Sequence, residues 1–111
     1  MQKLSNPDCA IINIDKLSGY CLNSEHPDGR HKAKVFMSAL NLGKDDAEIL
    51  KSALLKAIKE NEAIPSKSNE YGQKYIIDFE MTHLRKIARI RGAWIMRNNE
   101  NFPRLITCYI I

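Results

Sequence analysis

The sequence predicts an α+β fold, with N-terminal helices packed on a three- to four-stranded antiparallel β-meander. A change of period carries that expectation. Between residues 31 and 62 apolar side chains recur at helical spacing, and from residue 74 onward they alternate with polar ones. Pro65, Ser66, Ser68, Asn69 and Gly72 punctuate the chain between the two regimes and predict a loop over 63–73. Helices first and strands second is the α+β order.

The 111 residues suit one domain spanning 1–111, with a loose start over 1–9, a mainly helical part over 10–62 and an antiparallel sheet over 74–111. AIINIDKLSGYCLN predicts one or two helical turns, and NSEHPDGR reads as a loop with Asp28 as a helix cap. HKAKVFMSALNLG follows as a helix that Gly43 closes. The next helix begins at Asp45 and Asp46, and its Ala47, Leu50, Ala53, Leu54, Ala57 and Ile58 form one apolar stripe.

In KYIIDFEM and KIARIRGAWIMR, a turn at THLRK with Thr82 opposite Ile87 fixes the whole ladder. Tyr75 then faces Trp94, Ile77 faces Gly92 and Phe79 faces Ile90. On the other face Asp78 meets Arg91 and Glu80 meets Arg89, so opposite charges pair across the strands. RLITCYII is the last strand, and it adds Thr107 and Tyr109 to the polar face if Ile106, Cys108 and Ile110 turn inward.

An apolar share of 44% and a charged share of 27% are those of a folded protein. No apolar run is long enough to span a membrane, and Met1 to Ala10 has no signal-peptide pattern, so a cytoplasmic setting is expected. Cys9, Cys21 and Cys108 are too widely spaced for a disulfide framework or a zinc motif, and they read as buried or inert thiols. The net charge of +4 is compatible with a polyanion such as RNA without requiring one.

The helix mouth at DGRHKAKVF gathers Arg30, His31, Lys32 and Lys34 where the helix macrodipole already carries positive charge. On a helical wheel Lys34 falls on the polar arc and Lys32 within the apolar arc with Ala33, Phe36, Met37, Ala39 and Leu40. A cation there either snorkels at a frayed first turn or borders a cleft. His31, at the first turn, is a lone surface histidine or a general base. Arg91 is either one half of a cross-strand ion pair or a bidentate phosphate clamp. No metal-ligand pattern, nucleophile elbow, phosphate-binding loop or dinucleotide fingerprint is present, and no cofactor is expected. His31, Lys32, Arg91, Thr107 and Tyr109 are therefore the groups left for chemistry, and they suit metal-independent cleavage of RNA. In that reaction a base activates the 2′-hydroxyl and cations stabilise the phosphorane.

GYCLNSEHPDGRHKAKVF, YGQKYIIDFEMT, RIRGAWIM and NFPRLITCYII together resemble a bacterial family known as a domain of unknown function, over nearly the whole chain from Asp15. The pattern is G-Y-x-L-N-x-x-H-P-x-G-x-H-K-A-x-V-F, then Y-G-x-x-Y, a tryptophan strand and F-P-R-L. Gly92 departs from it, standing where a small hydroxyl residue is expected before Ala93 and Trp94. The resemblance implies stand-alone bacterial proteins or C-terminal domains of toxin-like chains. At the level of fold it is similar to the barnase, EndoU, colicin and RelE-like ribonucleases. Two functions are expected from these readings. One is a toxin-like endoribonuclease using His31, Lys32, Arg91, Thr107 and Tyr109. The other is a non-catalytic module of a toxin–antitoxin or similar two-gene system, binding an antitoxin, an immunity protein or a second copy through the polar sheet face or the last strand.

Overall fold

The computed structural model describes residues 3–111. Three α-helices, α1 (Ile14–Lys16), α2 (Arg30–Leu40) and α3 (Ala47–Glu60), precede four strands, β1 (Ile64–Asn69), β2 (Gly72–His83), β3 (Lys86–Arg97) and β4 (Pro103–Ile110). The strands form one antiparallel sheet in the order β1-β2-β3-β4. The fold is α+β, as the two periods predict.

The β2–β3 register is the one expected from the sequence: Tyr75 pairs with Trp94, Ile77 with Gly92, Phe79 with Ile90, Asp78 with Arg91 and Thr82 with Ile87. One face of this ladder packs under α2 and α3. Phe36, Leu40, Leu50, Leu54, Ile58, Ile77, Ile90 and Trp94 are fully buried there. On α3 the apolar stripe is inside as predicted, with Ala53 at its margin. On α2 only Ala33, Phe36 and Leu40 are buried, and Val35 and Met37 are exposed.

The structure corrects the sequence at five points. The loop expected over 63–73 is largely β1 and its hairpin turn; all six residues of β1 are exposed, so no apolar alternation marked it. The start of the chain is not loose over Lys3–Cys9. Leu4 is buried, Pro7–Cys9 form a turn of 3-10 helix, and Asp8 pairs with Lys59 at 2.8 Å. Met1 and Gln2, which belong to the same expectation, lie outside the described residues. Asp28 does not cap α2. Instead the His26 Nδ1 accepts the backbone N–H groups of Asp28 at 3.0 Å and Gly29 at 3.1 Å.

Nor does Gly43 end α2: Asn41 takes the left-handed turn at φ 59°, and Gly43 opens the next segment by donating to Asp46 at 2.8 Å. Finally, a bulge in β4 interrupts its alternation, because Ala93 pairs with Thr107 but Trp94 pairs with Leu105. Leu105 therefore joins the core in place of Ile106, while Cys108 and Ile110 pack inward as expected.

Although β4 ends the sheet, part of its outer edge is covered. Ile11 donates to the Pro103 carbonyl at 2.9 Å and accepts from the Leu105 amide at 3.0 Å, in a parallel bridge. The other end of the sheet is tied to α2 by His83, whose Nδ1–H donates to the Leu40 carbonyl at 2.7 Å, and by Lys86, which reaches the Ser38 carbonyl at 3.0 Å.

The two-residue turn between β2 and β3 puts Leu84 at φ 48° and Arg85 at φ 68°, the left-handed pair of a type I′ hairpin, with neither residue suited to it. Leu84→Asn with Arg85→Gly should therefore raise stability by about 1–2 kcal/mol, since such residues each cost on the order of 1 kcal/mol there. Urea unfolding of the double variant checks this, and an unchanged midpoint counts against it.

Candidate functional site

The site grows from the loop that delivers α2. A Cβ on Gly29 would collide with the Tyr20 carbonyl, so only glycine lets the Leu17–Cys21 turn lie against the start of α2. His26 holds the same corner, its ring edge-on to Tyr20 with centroids 4.8 Å apart. This packing delivers Tyr20 and Cys21 to the free edge of β4.

Lys32 fills the resulting seam. Its Nζ lies 5.5 Å from the Tyr20 ring centroid and 5.1 Å from that of Tyr109. A half-buried ammonium flanked by two aromatic faces is stabilised by their quadrupoles, at about 1–2 kcal/mol when partly desolvated. This explains how a cation can occupy the inward arc of α2: it reaches past the apolar side chains to the sheet edge, where two rings receive it.

Cys21 sits beside Lys32, its Sγ 3.7 Å from the Thr107 hydroxyl. The Ile111 amide donates to the Arg89 carbonyl, so alternation along β4 points the Cys108 amide away from β3. That leaves the outward Cys108 amide, like the Cys108 thiol, beside Cys21. The hydrogen bond from the Cys108 thiol is the main force that lowers the Cys21 pKa to about 6; burial opposes it, and the Cys108 amide, Thr107 and the charge of Lys32 assist. Cys108 is pushed up by the same bond and by burial, and stays a thiol. Cys21 and Cys108, separated by most of the sequence, thus form a pair in which Cys21 is the more acidic thiol.

Tyr109 links the seam to the open sheet face. It pairs with Arg91 across the ladder, and Arg91 pairs with Asp78 in turn. The Arg91 fork is occupied: its Nε and one terminal nitrogen each donate to an Asp78 carboxylate oxygen at 2.9 Å. Asp78 pushes the Arg91 guanidinium further up from an already high value, with the neighbouring Tyr109 adding to it, and Arg91 holds the Asp78 carboxyl below its usual range.

Of the five residues singled out in the sequence, the fold gathers four around one ring: Lys32 over Tyr109, Arg91 opposite it, and Thr107 two positions before it on β4. His31 is exposed in the first turn of α2, and no hydrogen bond or ion pair among the described residues ties it to the others. Tyr20, Cys21, Cys108 and His26 were missed. A histidine two residues before Asp-Gly, placed to cap the turn as an Asx side chain would, was the available signal for His26. Among the described residues no group of three or more His, Cys, Asp or Glu could hold a metal. No helix among them is long and apolar enough to cross a membrane.

Comparison with known proteins locates this arrangement. A family model described as a domain of unknown function, DUF6883, matches residues 3–111. The chain belongs to the DUF6883 family. Among solved structures, a chain of a contact-dependent growth inhibition toxin–immunity protein complex from Klebsiella pneumoniae 342 superposes with a TM-score of 0.71. The match covers 94% of this chain and 95% of that one at 16% identity, and at that identity it establishes a shared fold. No curated protein matches. This DUF6883 domain thus has the fold of one component of a toxin–immunity assembly.

The thiol pair gives a pH test. In the unfolded chain both thiols titrate near 9.0, whereas folded Cys21 does so near 6. Between those values the unfolded state binds the extra proton, so stability rises with pH and is lost as pH falls through 6. The slope from this one proton is at most about 1.4 kcal/mol per pH unit. Above pH 9 the protonated Cys108 opposes the gain. Cys21→Ser should flatten the pH dependence of the urea midpoint across this window; parallel curves for the two proteins would show that Cys21 is not the titrating group.

Proposed function

We propose that this DUF6883 domain is one member of a bacterial toxin–immunity type pair and acts by binding a small cognate protein. The observation that carries the reading is the match, over nearly the full length of both chains, to a component of such a complex. The sheet supports it. Helices α2 and α3 cover one face only, and the other presents Lys74, Ile76, Ile95, Arg104, Thr107 and Tyr109 without a covering layer. Co-expression with the product of the neighbouring gene should give a complex that elutes as one species, with both chains in equal amounts. Separate elution of the two chains at micromolar concentration would overturn the reading.

A second reading, RNA cleavage by the same module, is favoured by the convergence of Lys32, Thr107, Arg91 and Tyr109 on one seam. In it the imidazole of His31 takes the proton of a 2′-hydroxyl and the resulting oxyanion attacks the adjacent phosphate; the P–O5′ bond breaks, the leaving oxygen takes a proton from water, and a 2′,3′-cyclic phosphate remains. Lys32 and Arg91 balance the charge of the phosphorane while Thr107 and Tyr109 position it. For Arg91 to serve, the phosphate must displace Asp78 from its fork, a direct competition between two oxyanions. Purified protein incubated with total RNA in EDTA should then shorten it, and His31→Ala and Lys32→Met should each lose at least a hundredfold in rate. RNA left intact by the wild-type protein would remove this reading and leave the partner reading standing.

A further inference from the structure

A broad concavity lies away from the Lys32 seam. It has a volume of about 910 Å³ and lies at the end of the sheet formed by the β1–β2 and β3–β4 turns, bounded on one side by the residues around α1. Its lining has an aliphatic part, Ile95 on β3, Ile106 at the bulge of β4 and Ile11 on the segment that bridges β4, set among Asn13, Asn69, Asn98 and Asn99. Tyr71 stands at its rim with 66% of its surface exposed.

The charge around this lining is mostly of one sign. Lys16, Lys74, Arg97 and Arg104 line it, and Glu70 is the carboxylate among the lining residues. Arg104 is neutralised locally, since Glu100 accepts its fork at 2.8 and 2.7 Å. Arg97 keeps only a loose contact with that carboxylate, at 3.9 Å. Lys16 reaches a backbone carbonyl at 3.5 Å. Lys16, Lys74 and Arg97 thus present cationic charge above apolar ground, a pattern that the folding core does not use.

Resting on the partner reading above, we infer that this groove is where the cognate protein docks, and that it receives an acidic segment. One or two apolar side chains of that segment enter over Ile95 and Ile106, and flanking carboxylates meet Lys74, Arg97 and Lys16. The aliphatic part of the lining favours a polypeptide over a nucleic-acid backbone. A nucleic-acid backbone carries a phosphate at every nucleotide and would set some of them on hydrocarbon, whereas a protein segment can place apolar side chains over Ile95 and Ile106 and carboxylates at the rim. An occupant of this chemistry gains its specificity and association rate from charge, so its affinity depends on salt.

Calorimetric titration of the full chain with the adjacent-gene product tests the inference. The double variant Lys74→Glu/Arg97→Glu should weaken binding roughly tenfold to a hundredfold, with unfolding unchanged, and Lys56→Glu on α3 should bind as wild type. Raising salt from 50 to 300 mM, spanning roughly a twofold change in screening length, should weaken only the wild-type and Lys56→Glu complexes appreciably. If the wild type binds and the double variant binds equally well, the groove is not the docking site, although the partner reading survives. No binding by the wild type overturns both. A 12-nucleotide single-stranded RNA that binds the wild type and is lost in the double variant, while the protein partner is retained, would reassign the groove to RNA.

Discussion

The packing of Trp94 over Gly92 is the constraint from which the rest of the molecule follows. Trp94 is fully buried on the central strand β3, and a Cβ on Gly92 would lie 3.0 Å from its indole nitrogen and 3.5 Å from Leu54. The indole thus occupies space that a side chain two residues earlier would need, and it lets α3 settle onto the sheet through Leu54. The hydroxyl residue expected before Ala93 would crowd the same space, so the glycine here is matched to the indole. With α3 seated over β2 and β3, α2 is left to cover β3 and β4, and its first turn overhangs the sheet edge. The location of Lys32 is a consequence of that overhang.

An overhanging first turn and an edge strand each create a problem that the other solves. The edge strand offers unpaired amides, and a helix mouth rich in cations needs counter-charge. Cys21 lies beside the outward amide of Cys108, its thiol made more acidic next to Lys32, and the Tyr20 and Tyr109 rings receive the ammonium. Further along β4 the backbone of Ile11 covers the edge in the same way. The seam is therefore accounted for structurally before any reaction is assigned to it. It is also a place where charged, aromatic and hydroxyl groups converge within reach of solvent.

How far the sequence revealed this depends on whether each feature is local. The β2–β3 register was legible because apolar alternation on one face and charge pairing on the other demand the same alignment. A slip of β2 by one residue would turn Asp78 and Glu80 inward and strip Arg91 and Arg89 of their partners. β1 was not legible: Ile-Pro-Ser-Lys-Ser-Asn buries nothing, and its strand geometry comes from the hairpin alone. The β4 bulge was hidden because Leu105 and Ile106 are both aliphatic, so either could be read as the inward one. On α2 the wheel identified Lys32 as anomalous, yet its partners Tyr20 and Tyr109 come from the two ends of the chain. The cysteines show the same limit. Their spacing in sequence said only what they could not be, and their pairing exists only after the helical turn has closed on β4.

The partner reading and the chemical reading meet on β4. Arg104 and Ile106 line the cationic groove, and Thr107 and Tyr109, one and three residues further on, belong to the Lys32 seam. At about 3.3 Å per residue, Ile106 and Tyr109 lie roughly 10 Å apart, which is within the footprint of an ordinary protein interface. A protein seated in the groove and extending along the open face would therefore cover Thr107 and Tyr109 and close the seam to solvent. Such an arrangement needs no conformational change in this domain. Occlusion follows from the continuity of one strand, so binding in the groove and access to the seam are coupled by geometry alone.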